Sequence, residues 1–364
     1  MTRRMVVLAI LPALAAVPGL AQSQPPAAAP AAWRFAVSGD SRNCGDVVMP
    51  AIAADALAHQ VSFYLHLGDL RCMYDFDEDM QHEGDRRARP MSIDEYHAAA
   101  WDDSILNQVE PFGTTPFYVG VGNHDLIPPK TREEFVAQFA DWLGAPALRD
   151  QRLRDDPRDH RLRTYFHFVE RGVDVIHLDN ASKDQFDVSQ LKWFKGVLER
   201  DLANPAVRTL VVTMHRALPD SLAGGHSMNE SAQGIESGRA VYGALLRARG
   251  EGRKNVVILA SHSHYYMDGT FATEYCRTHG GVLPGWIVGT AGAVRYPLPK
   301  GAQDARAAET NVYGYLLGTV TPDGSVSFEF RRVSESDVPA YVRERFTPEL
   351  VRWCFEKNSN VGSE

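Results

Sequence analysis

Cysteine is scarce in this chain, and long blocks of one charge are missing. The 364 residues include four cysteines, carry a formal net charge of -8 and are 44% hydrophobic. No run of lysines and arginines is long enough to form a basic stripe, so nucleic-acid binding is not expected as the main activity. The apolar content is sufficient for one large α/β domain or for two smaller domains.

Long hydrophobic runs are also missing, except at the N-terminus. Residues 1–21 combine a basic start, an apolar run from Val6 to Val17, and small residues up to Ala21. This layout is typical of a secretory signal peptide that is cleaved after Ala21, and a twin-arginine export signal is the alternative. An Ala/Pro-rich linker follows over 22–32. We therefore expect a periplasmic or secreted protein with no membrane anchor after signal cleavage.

The four cysteines of an exported chain predict two disulfide bonds. Three pairings of four cysteines exist, and we favour Cys44–Cys72 together with Cys276–Cys354. The reason is that Cys44 and Cys72 each lie a few residues beyond a predicted strand. Four free thiols would require a reducing compartment, which the signal peptide argues against.

Short apolar runs that end in polar residues organise the rest of the chain. Several of them are almost continuously apolar, which is typical of strands buried on both faces. Helical patterns lie between them, and this alternation predicts an α/β layered fold with mixed sheets. The runs cover residues 33–40, 61–69, 115–125, 173–180, 208–215, 255–264 and 285–292.

The clearest helix is expected to begin after Asp187, which is a suitable N-cap. Further along, a turn signal at 322–324 separates two strand patterns and predicts a hairpin. One short helix is expected over 338–354, and the polar segments 75–110 and 218–240 are expected to be irregular insertions. The helix after Asp187 is indicated by apolar residues at three- and four-residue steps, namely Val188, Leu191, Phe194, Leu198 and Leu202.

Five of the predicted strands end in residues that bind metals in proteins. Ligands of open α/β sheets bind outside the carboxyl ends of the strands, so these residues are expected at one edge of the sheet. Carboxylate, amide and imidazole groups together favour a pair of transition ions such as Zn, Mn or Fe over calcium. The residues are Asp40, Asp69, Asn123, His124, Asp125, His215, His262 and His264.

Only Ser263 separates His262 from His264. In an extended strand, residues i and i+2 point to the same side, so only a turn at Ser263 lets the two rings reach different partners. Histidine is the commonest side-chain metal ligand. The alternative is a pair of ordinary surface histidines at a strand end.

The order of these motifs resembles the calcineurin-like metallophosphoesterases, including the purple acid phosphatases. The resemblance covers residues 33–333 and leaves 334–364 as a C-terminal extension. It implies a four-layer α/β/β/α sandwich with two mixed β-sheets, and a phosphatase that depends on two metal ions, Fe, Zn or Mn. The motifs that carry it are GD at 39–40, GD at 68–69, GNHD at 122–125, His215, and SHSH at 261–264.

The resemblance also implies which residues hold each ion. Asp69 would bridge the two ions, and Asp40 and His264 would bind the first of them. The ligands implied for the second ion are Asn123, His215 and His262.

His124 is not a metal ligand in such a site. The resemblance implies that it faces the oxygen of the leaving group as a general acid, with Asp125 orienting its ring. An imidazole with a pKa near 6.5 is suited to donate that proton at neutral pH.

Two positions depart from the family pattern. Arg42 stands where many members have a histidine ligand, and Cys72 stands where purple acid phosphatases have a tyrosine. We expect Cys72 in a disulfide bond and Tyr74 in a packing role, and binding of the first ion is the alternative for each of them. We expect Arg42 to bind the substrate phosphate, a task suited to a guanidinium, and a salt bridge is the alternative. For Arg71, the same two alternatives stay open.

The sequence thus predicts an exported phosphatase for small-molecule phosphate monoesters. A phosphodiesterase on the same scaffold and a non-catalytic protein that binds metal or a phosphate ligand are the alternatives. His66 and His177 lie within apolar runs and are expected to be hydrogen-bonded sheet residues, whereas His226 is a candidate for the mouth of the site.

Overall fold

Two β-sheets and the helices around them make up the described part of the chain, residues 31–182 and 185–362 of a computed structural model. The predicted signal peptide, 1–21, lies outside the described residues. The strands are β1 (Trp33–Ser38), β2 (Tyr64–His66), β3 (Phe117–Val119), β4 (Phe166–Glu170), β5 (Val173–Leu178), β6 (Thr209–Met214), β7 (Asn255–Ala260), β8 (Tyr266–Asp268), β9 (Gly285–Val288), β10 (Ala307–Glu309), β11 (Tyr313–Val320) and β12 (Val326–Val333).

The α-helices lie mostly between the strands, and two follow the last strand. Among the described helices, none has both the length and the apolar character that crossing a membrane requires. They are α1 (Gly45–Ala58), α2 (Glu78–His82), α3 (Ile93–Ser104), α4 (Arg132–Gln138), α5 (Ala140–Leu143), α6 (Pro146–Asp155), α7 (Val188–Ala203), α8 (Ala232–Gly250), α9 (Glu274–Thr278), α10 (Ala340–Arg345) and α11 (Pro348–Glu356).

Both sheets mix parallel and antiparallel strands. One has the order β12-β11-β1-β2-β3, and the other has the order β10-β8-β9-β7-β6-β5-β4. The strands β1, β2 and β3 are parallel, with Leu65 paired to both Val37 and Tyr118. The strands β5, β6, β7 and β9 are also parallel. The parallel strands of each sheet therefore present their carboxyl ends at a common edge.

Alternate residues of the strands face two different cores. Val211 of β6 belongs to the core between the sheets, where the rings of Trp286 and Phe328 from opposite sheets lie 4.6 Å apart. Its neighbour Val212 belongs to the second core, which includes Phe194 of α7. On the far side of the other sheet, α1 packs against β11 and β12. These layers confirm the predicted α/β/β/α arrangement with two mixed sheets.

Every predicted apolar run contains a strand, and the predicted hairpin is formed by β11 and β12. The short strands β4, β8 and β10 were not predicted. The helix after Asp187 is present as α7, and the Asp187 carboxylate accepts a hydrogen bond from the Gln190 amide at 2.8 Å. Its predicted apolar face is partly wrong, because Val188 and Leu202 are 83% and 41% exposed. Val197 is buried instead.

The polar insertions and the tail are more regular than the sequence predicts. The segment 75–110 contains α2 and α3, and α3 begins with a capping box between Ser92 and Glu95. The segment 218–240 includes the first turns of α8. Two helices, α10 and α11, replace the one predicted near the C-terminus, and their buried side chains join the core between the sheets and α1.

The predicted pairing of the cysteines is wrong. Cys44 is bonded to Cys354, with Cα atoms 5.8 Å apart and a sequence separation of 310 residues, while Cys72 and Cys276 are buried free thiols. Cys44 is the N-cap residue of α1, and α11 returns to that end of the helix. Spacing along the sequence does not report such a contact, because it depends on where the C-terminal helix packs.

Candidate metal centre

The candidate metal centre lies where the carboxyl ends of both sheets meet. In one sheet, β1, β2 and β3 are followed by Asp40, Asp69 and Asn123. In the other sheet, β6 and β7 are followed by His215 and His262. The expectation of a single sheet edge is therefore wrong, because each sheet supplies part of the set of ligands.

Three of these residues have an unusual backbone conformation. Asp40, Asp69 and His262 have φ angles of 61°, 59° and 66°. Residues other than glycine avoid this left-handed region unless the surroundings impose it, and such residues cluster at functional sites. Here the amide of Asp40 donates to the carbonyl of Gly68 at 3.0 Å, and the amide of Ser41 donates to the carbonyl of Asp69 at 3.0 Å.

Two glycines allow the loops that carry these residues to approach each other. A Cβ atom on Gly68, whose φ is +99°, would lie 2.3 Å from the amide nitrogen of Gly122. A Cβ atom on Gly122 would lie 2.1 Å from Oδ1 of Asp69. Because real Cβ atoms do not come so close, only glycine at both positions lets the loops after β2 and β3 touch.

The ligand atoms lie at the spacing that a transition ion requires. Nε2 of His215 is 3.1 Å from Nδ1 of His262, 3.1 Å from Oδ1 of Asn123 and 3.4 Å from Oδ2 of Asp69. Ligands bonded to a tetrahedral ion at about 2.1 Å are about 3.4 Å apart. Asp40 also offers an atom within 4.8 Å of those of Asp69, His215 and His262.

The two carboxylates have oxygens that lack a donor. Among the described residues, no hydrogen bond reaches Oδ1 of Asp40 or Oδ2 of Asp69, although both atoms are buried. The other oxygens accept from the amides of His262 at 2.7 Å and His124 at 2.8 Å. Burial would raise the pKa of Asp69, but His215 and His124 outweigh it and hold that pKa well below its usual value. A buried charged oxygen without a partner is costly, so this donor set fits a cation.

Backbone carbonyls that accept hydrogen bonds from the histidine rings decide which ring nitrogen keeps a lone pair for a metal ion. Nδ1 of His215 donates to the carbonyl of Leu67 at 3.0 Å, and Nδ1 of His264 donates to the carbonyl of Val294 at 2.6 Å. A carbonyl only accepts, so in each ring the lone pair is on Nε2. Burial holds the pKa of His262 well below its usual value, which keeps that ring neutral.

The chain turns at Ser263, so the rings of His262 and His264 face different partners, as expected from the sequence. The amide of Ser263 donates to the carbonyl of Ser261 at 2.7 Å, within a tight turn. Nδ1 of His262 consequently faces His215, whereas Nε2 of His264 lies 3.3 Å from Oδ1 of Asp40.

His124 is oriented by a group that the sequence did not predict. Its Nδ1 donates to the carbonyl of Cys72 at 2.7 Å, and its Nε2 lies 3.9 Å from Oδ2 of Asp69. The carboxylate of Asp125, expected to orient this ring, instead joins the loops by accepting hydrogen bonds from backbone amides. Those amides belong to Gly122 at 2.8 Å, Asp69 at 2.9 Å and Leu70 at 3.0 Å.

Arg42 lies inside the centre and is buried. Its Nη1 contacts Nε2 of His124, and its Nη2 lies 3.0 Å from Nε2 of His264 and 3.3 Å from the hydroxyl of Tyr296. Burial would lower the pKa of Arg42, but Asp69 and other neighbours outweigh it and raise that pKa, so the group stays charged. Its hydrogen-bond partners are neutral groups.

Two further rings lie beside the centre. The ring of Tyr296 stacks on His264, with centroids 4.0 Å apart, and lies 5.3 Å from the ring of His226. The ring of His226 is in turn 5.5 Å from that of His262. His226 therefore reaches the site, whereas Tyr296 was missed because it lies in a loop with no motif around it.

Cys72 and Tyr74 are placed differently from ligands. The buried Cys72 thiol is not part of the group of ligand atoms formed by Asp40, Asp69, His215 and His262, and burial and Asp77 raise its pKa to about 12. Tyr74 is 63% exposed, and its ring lies 5.0 Å from the ring of His124. Both residues thus border His124, one through its carbonyl and the other through its ring.

Arg71 forms salt bridges and does not bind at the centre, which decides between the two alternatives left open by the sequence. Its fully buried guanidinium donates to Asp46 at 2.6 Å and to Asp79 at 3.2 Å, and it also contacts Asp103. These carboxylates surround the cation, which therefore takes no part in the candidate metal centre.

His66 and His177 are hydrogen-bonded sheet residues, as predicted. Nε2 of His66 lies 3.0 Å from the hydroxyl of Ser41, and Nδ1 of His177 lies 2.9 Å from that of Thr213. Burial lowers the pKa of both rings to about 4.

Comparison with known proteins places this geometry in a family. The model of the calcineurin-like phosphoesterase domain matches residues 39–266. The chain is similar to purple acid phosphatase PPD1 from seeds of yellow lupin (Lupinus luteus), with 16% identity and a TM-score of 0.54 over 83% of this chain and 51% of that one. It is also similar to PhoD, with 16% identity and a TM-score of 0.51 over 85% of this chain and 73% of that one.

These structural similarities show the fold. The chain spans about half the length of the plant protein. A search of curated proteins finds no match. The family match covers more than half of the chain and includes every residue of the centre from Asp40 to His264, so this protein belongs to the calcineurin-like phosphoesterase family.

Proposed function

We propose that the protein is an exported, metal-dependent phosphatase that hydrolyses small-molecule phosphate monoesters. The observation that carries this proposal is the buried group formed by Asp40, Asp69, His215 and His262, whose ligand atoms lie within 4.8 Å of one another. One oxygen of each carboxylate in it lacks a donor, and the ring of His124 lies beside it without being part of it. A protein that only stored a metal would have no need of His124.

Bound transition ions lower the pKa of a water molecule and neutralise charge on a phosphoryl group. The chain itself supplies orientation and proton transfer. Arg42 presents a planar guanidinium, which matches two phosphate oxygens. Burial lowers the pKa of His124 despite the charge of Asp69, so its protonated ring is a stronger acid than free imidazole. Nδ1 is fixed by the Cys72 carbonyl, and Nε2 contacts Nη1 of Arg42. Nε2 can therefore carry a proton to the leaving group only after the guanidinium of Arg42 has turned from it to the substrate phosphate.

Hydrolysis of p-nitrophenyl phosphate and of bis(p-nitrophenyl) phosphate by the mature protein tests the substrate class. After loading with Zn, Mn or Fe, the monoester is expected to be the better substrate. A clear preference for the diester would instead assign a phosphodiesterase, and no turnover of either would leave a binding protein.

The variant His124→Ala tests the role of the general acid. Its rate is expected to fall about 10²- to 10⁴-fold with an unchanged metal content. His279→Ala is the matched control, because that imidazole is exposed at the C-cap of α9 and outside the centre. An unchanged rate in His124→Ala would contradict this mechanism.

Export is supported by the covalent bond between Cys44 and Cys354, since disulfides persist in oxidising compartments. Removal of residues 1–21 would make Gln22 the first residue of the mature chain. Mass spectrometry of protein from the periplasm or the medium checks this. Protein that retains Met1 and stays in the cytoplasm would contradict export.

A further inference from the structure

We propose that the centre binds a single metal ion, and that the guanidinium of Arg42 occupies the place of the second ion. This inference rests on the proposed metal-dependent function. It replaces the pair of ions that the motif pattern implies by one ion. Three observations support it: the partner of His264, the way Arg42 is held, and the composition of the group of ligand atoms.

The first observation concerns the lone pair of His264. Because Nδ1 of His264 donates to the carbonyl of Val294 at 2.6 Å, Nε2 is the only ring nitrogen that can bind an ion. Nη2 of Arg42 lies 3.0 Å from that Nε2. A single lone pair can accept a hydrogen bond or bind a metal ion, but not both. The lone pair on Nε2 of His264 already accepts from Arg42, so it is not available to an ion.

The second observation is that Arg42 is fixed at this place from several sides. Its Nη1 contacts Nε2 of His124, whose Nδ1 is also directed at a carbonyl, that of Cys72. The hydroxyl of Tyr296, 3.3 Å from Nη2, adds a third contact, and the ring of Tyr296 stacks on His264. The guanidinium is therefore held by uncharged groups, and its own charge remains available to Asp40, Asp69 and a substrate anion.

The third observation is the composition of the group of ligand atoms. The described residues contain one such group, Asp40, Asp69, His215 and His262, and it does not include His264. The group combines Asp40, predicted for the first ion, with His215 and His262, predicted for the second ion, and with Asp69, predicted to bridge the two. One ion at this group would partner both unsatisfied oxygens, Oδ1 of Asp40 and Oδ2 of Asp69.

A second ion at His264 would also meet a fixed like charge. The guanidinium of Arg42 is buried and cannot lose its proton. An ion on Nε2 of His264 would lie next to it, in surroundings where charges are weakly screened. Arg42 thus supplies the positive charge of a second ion, together with the fork that binds phosphate oxygens.

The test is the ratio of bound metal to protein, with Mn²⁺ as the probe. Chelator-stripped protein is loaded with excess Mn²⁺ and desalted, and its metal content is measured by elemental mass spectrometry. Electron paramagnetic resonance of the same samples distinguishes an isolated Mn²⁺ ion from an exchange-coupled pair. Both readouts are independent of activity.

Arg42→His is the decisive variant, because it replaces the cation by a ligand. We expect one ion per chain in the wild type and in Arg42→Lys, and two coupled ions in Arg42→His. Arg239→Ala is the matched control and is expected to retain one ion, because that arginine pairs with Asp220 at the surface. Arg42→Ala, which removes the cation and adds nothing, provides a second variant and is expected to bind more than one ion.

Each other outcome has a definite meaning. Two coupled ions in the wild type would overturn the single-ion centre and leave the proposed phosphatase function intact. A single ion in both Arg42→His and Arg42→Ala, with unfolding temperatures near that of the wild type, would show that the guanidinium does not exclude the second ion. A wild type that binds no Mn²⁺, Zn²⁺ or iron would overturn the proposed function itself.

Discussion

Arg42 and Arg71 hold equivalent places in the sequence, two residues after Asp40 and Asp69, and the structure uses them in different ways. Both are buried. Arg71 is surrounded by carboxylates at hydrogen-bond distance, whereas the hydrogen-bond partners of Arg42 are two imidazoles and a phenol.

The difference between the two arginines lies in how their charge is balanced. Removing a cation that is surrounded by buried carboxylates leaves those carboxylates unpaired, which is strongly destabilising. A cation with neutral partners keeps an electrostatic field that attracts an anion from solution. We therefore assign Arg71 to stability and Arg42 to the chemistry of the centre. Changes at the two arginines test that division, and changes at Cys354 and His167 measure how much other buried bonds and charges contribute to stability.

The largest effect is expected from Arg71→Met. Losing this guanidinium leaves Asp46, Asp79 and Asp103 buried without their cation, at a cost of about 3–5 kcal/mol in the free energy of unfolding. Urea denaturation measures this cost. Arg239→Ala is the control, since exposed ion pairs contribute about 0–1 kcal/mol. A loss no larger than that of the control would remove the distinction between the two arginines.

The next effect is expected from Cys354→Ser. The bond to Cys44 closes a loop of 310 residues just beyond Arg42, and its loss is expected to cost about 2–4 kcal/mol. Cys276→Ser, at a buried free thiol, is the matched control and should cost less. Thermal unfolding with and without a reductant checks this. If reductant lowers the unfolding temperature of Cys354→Ser as much as that of the wild type, the bond is not the cause.

The third effect is expected from Arg42→Met, in rate rather than in stability. With one equivalent of Mn²⁺ supplied, the rate of monoester hydrolysis should fall about 10²-fold, equivalent to about 2.7 kcal/mol in the barrier. The free energy of unfolding should fall by less than in Arg71→Met, because the groups that lose a hydrogen-bond partner are two imidazoles and a phenol rather than carboxylates. Kinetics and urea denaturation on the same samples separate the two quantities. A large loss of stability with an unchanged rate would reverse the assignment.

The smallest effect on the free energy of unfolding is expected at His167. This residue is a third buried cation between carboxylates, and unlike the arginines it loses its charge when the pH rises. Its Nδ1 lies 2.7 Å from Asp174 and its Nε2 lies 2.6 Å from Asp155. Burial would lower the pKa of His167, but these carboxylates outweigh it and raise that pKa from 6.5 to about 9. The stabilisation is therefore complete below pH 6.5 and is lost as the pH rises through about 9.

Urea denaturation between pH 6 and pH 10 measures this loss, which should be on the order of 2 kcal/mol. In His167→Gln the same range of pH should show a flatter dependence, because glutamine does not titrate. Equal slopes in the two proteins would mean that His167 does not carry the effect.

The sequence allowed the strands and the metal ligands to be predicted for one physical reason. Parallel strands buried on both faces are apolar along their whole length, so they stand out, and polar residues at their carboxyl ends gather where the strands end. Asp40, Asp69, Asn123 and His215 were found in this way. The expectation of one sheet edge was wrong because apolar runs do not reveal which strands share a sheet.

Other features depend on contacts between distant segments. The bond between Cys44 and Cys354 requires α11 to return to α1, and no local pattern encodes that return. Tyr296 reaches Arg42 from a loop without a motif. The orientation of His124 depends on a backbone carbonyl, that of Cys72, which any residue type would supply. The division of labour between Arg42 and Arg71 follows from such contacts, so the sequence left it open.

The most direct test of the central claim is the hydrolysis of p-nitrophenyl phosphate by wild-type protein and by Asp69→Asn, after chelator treatment and again after metal is returned. Asp69 lies at the middle of the centre, and the amide retains the shape of its side chain. We expect the stripped wild type to be inactive and to recover with metal, whereas Asp69→Asn remains folded and inactive throughout. Hydrolysis by the stripped wild type, or wild-type rates in Asp69→Asn, would contradict this claim.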